Sequence, residues 1–259
     1  MTTATYDGTS STGLTGFVIT KTTRRLLGDS RASFEDVPGR AGSWAFGEER
    51  GDRAIVLSCA IVATSASARR TAVTAVADWV DKSTTAQLIL SDESDRYYDA
   101  ILTESPDVDE WLRVGQFELT FRVGPFAYKT SASTESWTSA DGVAHTWTPA
   151  DTVGAFPIIT ITPNADITSF ILTVNGTSLT YGTTLLSGTT LTINSISYTA
   201  TTGANIDSNL TGAYNPANVS MATIDGDFPL IVVGQNSVTL DTPGGQTAAM
   251  VVTWRRRYR

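Results

Sequence analysis

The side chains able to do chemistry are few and far apart. His145 is the single histidine and Cys59 the single cysteine. One histidine removes any paired-His zinc site and leaves one candidate general base. A nucleophilic triad needs partners fixed in space, and no Ser/Asp spacing ties such partners to Ala144-His145-Thr146-Trp147, so His145 reads as a satisfied strand residue. Cys59 lies in the apolar run Arg53 to Ala63 and reads as a small core residue. A lone cysteine also excludes an internal disulfide and a Cys-rich metal site. The carboxylates Asp92, Glu93, Asp95, Asp107, Asp109 and Glu110 could in principle flank a glycosidic bond. They fall in expected turns, where charge is commonplace. No Gly-rich phosphate loop or calcium-loop spacing is present. The expectation is therefore no catalytic residue, no metal and no cofactor.

Composition points the same way. Thr is about one residue in six of the 259, and charged residues are 17%. A β-branched, weakly charged chain leans all-β. Up to Lys129 there are 14 Lys plus Arg against 18 Asp plus Glu, a net of −4; afterwards 4 against 8, again −4, for a total of −8. From Thr130 to Trp254 there is no Lys or Arg; the four later cations are Arg255, Arg256, Arg257 and Arg259. This places a domain boundary near Lys129, giving domains 1–129 and 130–259. An acidic chain without a basic stripe argues against nucleic-acid recognition. No run approaches the roughly 20 apolar residues of a membrane span, and the N-terminus lacks the pattern of a signal peptide, so the chain is expected to be made in the cytoplasm without membrane insertion.

The elements that must position any site are strands with one helix. Gly16 to Thr22 and Arg53 to Ala63 read as strands, separated by a long, charged, poorly periodic region from Thr23 to Asp52, with short strand candidates at Ala32 to Val37 and Ser43 to Phe46. Ser67 to Lys82 is the expected helix, with Ser67 as N-cap and Val73, Val76, Ala77 and Val80 on its apolar face. Strands follow at Ala86 to Ser91, Tyr97 to Glu104 and Trp111 to Val123. In the last, Phe117, Leu119, Phe121 and Val123 alternate with polar residues, and a bulge is expected at Gly115. The first domain is thus an α+β barrel or sandwich. In the second half, Asn175-Gly176 is a strong hairpin signal between Ser169 to Val174 and Thr177 to Tyr181. Leu191 and Ile193 are expected opposite Ile196 and Tyr198, with later strands at Phe228 to Val233, Ser237 to Leu240 and Ala248 to Trp254. Short strands without a helix predict an antiparallel β-sandwich.

Order and spacing together carry a resemblance. Val37-Pro38-Gly39-Arg40-Ala41-Gly42 in the long loop, Gly124-Pro125-Phe126-Ala127-Tyr128 at the end of the first half, and Phe228-Pro229-Leu230, Gly234-Gln235-Asn236 and Trp254-Arg255-Arg256-Arg257-Tyr258 near the terminus are each short. Taken in sequence over nearly the whole chain, they resemble the distal tail protein of long-tailed siphophages. The resemblance implies a mainly β fold: a ring-forming N-terminal domain with one helix, then a galectin-like antiparallel β-sandwich. It implies a homo-oligomer, commonly a hexamer, at the virion tail tip. Its partners would be the tail tube protein and the tail hub, with a receptor-binding protein or host glycan outside, and no enzymatic activity. On this reading Pro38, Gly39, Arg40, Gly42, Trp44 and Phe46 belong to the oligomer interface. The loop either reaches around a neighbour or folds onto its own domain, and its length without periodicity favours the neighbour.

Arg255, Arg256 and Arg257 have three readings: a solvated end, a contact to an acidic patch such as Asp92, Glu93 and Asp95, or a contact to nucleic acid in the lumen, which the acidic balance disfavours. A different function class is a carbohydrate-binding module for host cell-wall polysaccharide, using Trp137, Trp147, Tyr181, Tyr198 and Tyr214. That needs aromatic faces exposed together on one concave surface.

Overall fold

The alternation of side chains sets the strands of the first unit. In the computed structural model, Arg53, Ile55, Leu57, Cys59 and Ile61 of one strand are all buried, while Ala54, Val56, Ser58 and Val62 beside them are more exposed. The structure describes residues 2–36, 38–39, 41–104, 114–202, 224–226 and 228–258, with the side chains of 45–48, 114 and 224–226 excepted. The chain divides into two compact units, residues 1–130 and 131–258.

The first unit contains β1 (Ala4–Tyr6), β2 (Thr9–Ser10), β3 (Phe17–Arg24), β4 (Ser30–Asp36), β5 (Ser43–Arg50) and β6 (Arg53–Val62). Helix α1 (Ala66–Val80) follows, then β7 (Ala86–Leu90), β8 (Arg96–Leu102), β9 (Val114–Val123) and β10 (Ala127–Lys129). The main sheet runs β2-β1-β7-β8-β9-β6-β3, with β10 added on β8. A bridge from Thr2, just before β1, to Ile19 of β3 brings one side of that path onto its far end, so the sheet curls into a barrel. Its interior is filled by Tyr6, Phe17, Leu57, Leu88, Leu119 and Phe121, among others.

α1 caps this core. Ser65 is its N-cap, with its Oγ accepting from the Ala68 N–H at 3.1 Å, two residues before the expected Ser67. Its buried face is Ala72, Val76, Trp79 and Val80, whereas Ala77, expected inside, is exposed. Trp79 sets this rotation. Its ring meets Tyr6 and Phe17 edge-on at 6.2 and 5.7 Å, and its Nε1–H donates to the Thr9 carbonyl at 2.9 Å. Ser65→Ala removes one cap bond and is expected to lower stability by about 1 kcal/mol, read from the urea midpoint. No described helix is long and apolar enough to cross a membrane.

Two local expectations change. β6 and β9 pair without interruption from Arg53↔Val123 to Val62↔Val114, so Gly115 carries no bulge. The bulge lies in β3 between Ile19 and Lys21, where Thr20 turns its hydroxyl onto the Ser58 carbonyl at 2.9 Å. Just before β3, Gly16 has φ +77° and lies so close to Val62 that a Cβ would stand 2.6 Å from its carbonyl oxygen.

The second unit is the expected antiparallel β-sandwich. One sheet has the order β11 (Ser133–Ser139), β20 (Ala248–Trp254), β13 (Ile158–Pro163), β16 (Leu191–Asn194) and β17 (Thr199–Thr202). The other runs β12 (His145–Trp147), β19 (Asn236–Asp241), β14 (Phe170–Val174), β15 (Thr177–Tyr181) and β18 (Ile224–Gly226). The two share one core of residues such as Ile159, Ile161, Phe170, Leu172, Leu240 and Val252. Asn175 (φ +52°) and Gly176 (φ +87°) make the two-residue turn between β14 and β15.

Ile196 and Tyr198 do not face Leu191 and Ile193; Ala200 and Thr202 do. The Asn194 Oδ1 accepts from the N–H groups of Ile196 and Ser197, and this local turn projects Ile196 and Tyr198 into solvent. Phe228 to Val233 is not a strand. Only Ile231 bridges, to Ala155, while both backbone groups of Val232 bond the buried Asn236 side chain.

Candidate functional site

The feature of the first unit that its own core does not explain is the two-stranded sheet β4–β5. It pairs only with itself, from Ser30↔Arg50 to Asp36↔Ser43, with a register shift between Ala32 and Phe34. All of β4 is exposed, as are Ser43, Trp44, Glu49 and Arg50 of β5. Phe34 is 65% and Trp44 48% exposed, and Leu26 and Leu27 at the approach to the hairpin are exposed as well. A two-stranded ribbon alone in water is marginal, and this one holds large apolar side chains in contact with solvent.

The root of this arm is fixed. The Gly51 N–H donates to the Asp29 carbonyl at 2.8 Å, and Gly28 packs so tightly on the Gly51 carbonyl that a Cβ would overlap it. At the far end, Pro38 and Gly39 form the tip, with Gly39 at φ +85° and Gly42 at φ +83°. Four of the expected interface residues, Pro38, Gly39, Gly42 and Trp44, therefore lie on one exposed element. Arg40 and the Phe46 side chain lie outside the described residues. Sequence reading gave short strands and no sense of a ribbon standing away from the barrel, and it passed over Phe34.

The chemically competent residues are occupied. The His145 Nε2 is hydrogen-bonded to the Glu135 Oε1 at 2.9 Å, and the ring stacks on Trp137 at 4.2 Å and 9°. Its remaining ring contact is Trp147 at 6.1 Å, and no hydroxyl or thiol among the described residues bonds it. Asp92 and Glu93 hold Arg24 at 2.6 and 3.7 Å, and Glu93 accepts from the Tyr98 hydroxyl at 2.7 Å. Asp107, Asp109 and Glu110 lie outside the described residues. Among those described, no three His, Cys, Asp or Glu side chains converge as a metal site would require.

Cys59 is buried, and burial, helped by the charge of Glu118, pushes its thiol from 9.0 to about 12. Burial also lifts Tyr98, from 10.0 to about 12, with the Glu93 hydrogen bond and charge adding to it. Both groups are held protonated in the fold, so their contribution is complete below pH 9 and fades as pH rises from about 9 to about 12. The urea midpoint is expected to fall across that window, less steeply in Cys59→Ala. An equal slope in the variant would show that Cys59 plays no part.

Among the described residues, the aromatic side chains singled out in the second unit do not share one exposed face. Trp137, His145 and Trp147 cover one another between the edge strands β11 and β12, and Tyr181 is buried against Phe170 at 5.1 Å. Tyr198 is exposed and meets Phe228 edge-on at 5.5 Å, and Tyr214 lies outside the described residues. Arg256 and Arg257 are tied within the second unit. The Arg256 Nε is 3.6 Å from the Asp151 Oδ1, and Arg257 donates to the Gly154 carbonyl and lies over Phe156 at 5.1 Å. Arg255 is exposed.

Residues 13–123, nearly all of the barrel unit, match the family described as phage tail protein RIFT-related domain. Over its whole length the chain is similar to the Dit protein (gp 19.1) of phage SPP1, described as a paradigm of the hub adsorption apparatus in phages infecting Gram-positive hosts. That likeness has a TM-score of 0.76 at 14% identity and covers 100% of both chains, so the two proteins share a fold across both units. A chain of the phage p2 baseplate in its activated conformation with Sr is similar at a TM-score of 0.49 and 11% identity, over 96% of this chain and 98% of that one, too loosely to carry structural argument. No curated protein sequence matches the chain.

Proposed function

We propose that the protein is a structural component of a virion, forming a closed ring, a hexamer, at the distal end of a long non-contractile phage tail. There it joins the tail tube to the hub and the host-adhesion apparatus. The observation that carries this reading is the β4–β5 arm, which exposes Phe34 and Trp44 on a ribbon with no core of its own. A neighbouring copy supplies the missing cover, and a head-to-tail contact that repeats around an axis closes a ring. The phage tail family that the barrel unit matches and the shared fold with SPP1 Dit support the placement at the tail tip. The second unit serves a receptor-binding protein.

Native mass spectrometry of the purified chain is expected to give one discrete multimer. Immunogold labelling of whole phage is expected at the tail tip. Label along the tube or at the head would overturn the placement, and a strict monomer at every concentration would overturn the ring.

A further inference from the structure

Arg53 stands where the alternation of β6 calls for an apolar residue. Ile55, Leu57, Cys59 and Ile61 continue the same inward face, and Arg53 pairs across the ladder with the buried Val123. Its residue is only 8% exposed, and its Nε and Nη2 are buried without a hydrogen-bond partner. The guanidinium lies over the face of Tyr98, 5.4 Å from the ring centroid. A buried cation without a hydrogen-bonded anion is costly to keep.

That side chain lines a cleft of about 330 Å³ at the root of the arm, with Arg25, Asp29, Arg31, Asp52 and Arg122. Two of these arginines are neutralised in place. Arg25 Nη1 is 2.9 Å from the Asp29 Oδ1, and the Asp52 Oδ2 accepts from the Arg122 Nε at 2.6 Å and lies 2.5 Å from its Nη2. Among the described residues Arg31 and Arg53 have no carboxylate partner, which leaves two guanidinium groups in one cleft of a chain with a net charge of −8.

We propose that this cleft is an oxyanion site whose ligand is an aspartate or glutamate side chain of a protein docked at the base of the arm. A planar carboxylate matches guanidinium forks in bidentate fashion. A slender side chain can reach Arg53 inside the cleft. A nucleic-acid backbone would meet Asp29 and Asp52 there and the repulsion of the acidic chain as a whole. The site does not depend on the chain forming a ring, since any acidic partner segment at the arm root would fill it.

The test follows the arginine Nε–H signals of the ¹⁵N-labelled full chain at fixed ionic strength, with chloride as the control. Acetate and a capped glutamate are each expected to shift the Arg53 and Arg31 signals saturably, with half-saturation in the millimolar range. Arg53→Met is expected to abolish both shifts, and the exposed Arg31→Met to weaken binding about tenfold. In chloride buffer Arg53→Met is expected to raise Tm, because it removes an unpaired buried charge, whereas loss of a purely structural arginine would lower it. If Arg53→Met fails to fold, the titration of Arg31→Met still decides. The proposal is overturned by the absence of any saturable shift at Arg53. Tighter binding of inorganic phosphate or of a ten-residue oligothymidine than of acetate would also overturn it.

Discussion

A chain in which residues 30–50 are replaced by two glycines is expected to fold with an unchanged Tm and to run as a monomer in native mass spectrometry. The link is short enough because the Gly51 N–H already bonds the Asp29 carbonyl at 2.8 Å. Stability is unchanged because the removed strands pair only with each other and β4 is exposed along its whole length. Assembly is lost because Phe34 and Trp44 are the arm's exposed aromatic anchors. Buried aromatic anchors at an interface are worth about 2 kcal/mol or more each on truncation, roughly thirtyfold in Kd. Phe34→Ala and Trp44→Ala are therefore expected to give intermediate dissociation in sedimentation velocity, with the double variant close to the deletion. Rings formed by the two-glycine chain at the concentration of the parent would end the arm's role in assembly.

Strands whose two faces differ in burial were the legible part of this fold. β9 could be read from the alternation of Phe117, Leu119, Phe121 and Val123, which a barrel wall imposes, and β6 from its density of Ile, Val and Leu. The β14–β15 turn was legible because positive φ at two successive positions selects Asn-Gly. The arm was not legible as a ribbon, since a strand such as β4, exposed on both faces, leaves no periodic trace in its sequence. Phe228 to Val233 misled for the opposite reason. Its apolar residues suggest a strand, yet its backbone is bonded by the Asn236 side chain, an interaction no local pattern announces. Arg53 was visible only as the first residue of a strand, and its meaning comes from the inward face on which it falls. The partner of Arg256, Asp151, is 105 positions away in sequence, so only the folded sandwich reveals it.

Asp151→Ala is expected to destabilise the second unit by about 3–5 kcal/mol, a fall in Tm of roughly 10–15 °C. The Asp151 side chain is fully buried, its Oδ2 accepts from the Trp254 Nε1–H at 2.7 Å, and its Oδ1 faces the Arg256 Nε at 3.6 Å. Truncation leaves a buried indole N–H without its acceptor and a partly buried guanidinium without its nearby carboxylate. The neighbouring residues share the load: the Thr152 hydroxyl donates to the Arg257 carbonyl at 3.2 Å, and Arg257 reaches back to the Gly154 carbonyl. Two segments, 151–156 and 254–257, are thereby fastened together beside the Trp147–Trp254 contact at 6.1 Å. Asp151→Asn keeps an acceptor for Trp254 and loses only the charge, so a smaller loss of about 1–2 kcal/mol is expected. Arg256→Met combined with Asp151→Ala is expected to cost less than the sum of the two, because the second change removes a charge the first has stranded. Equilibrium unfolding of the full chain, followed by tryptophan fluorescence, measures all four values. Additive losses, or an Asp151→Ala variant within 1 kcal/mol of the parent, would return the terminal arginines to the status of a solvated end. Coupled losses make them the fastening of the last strand, which keeps the C-terminal segment fixed on the sandwich.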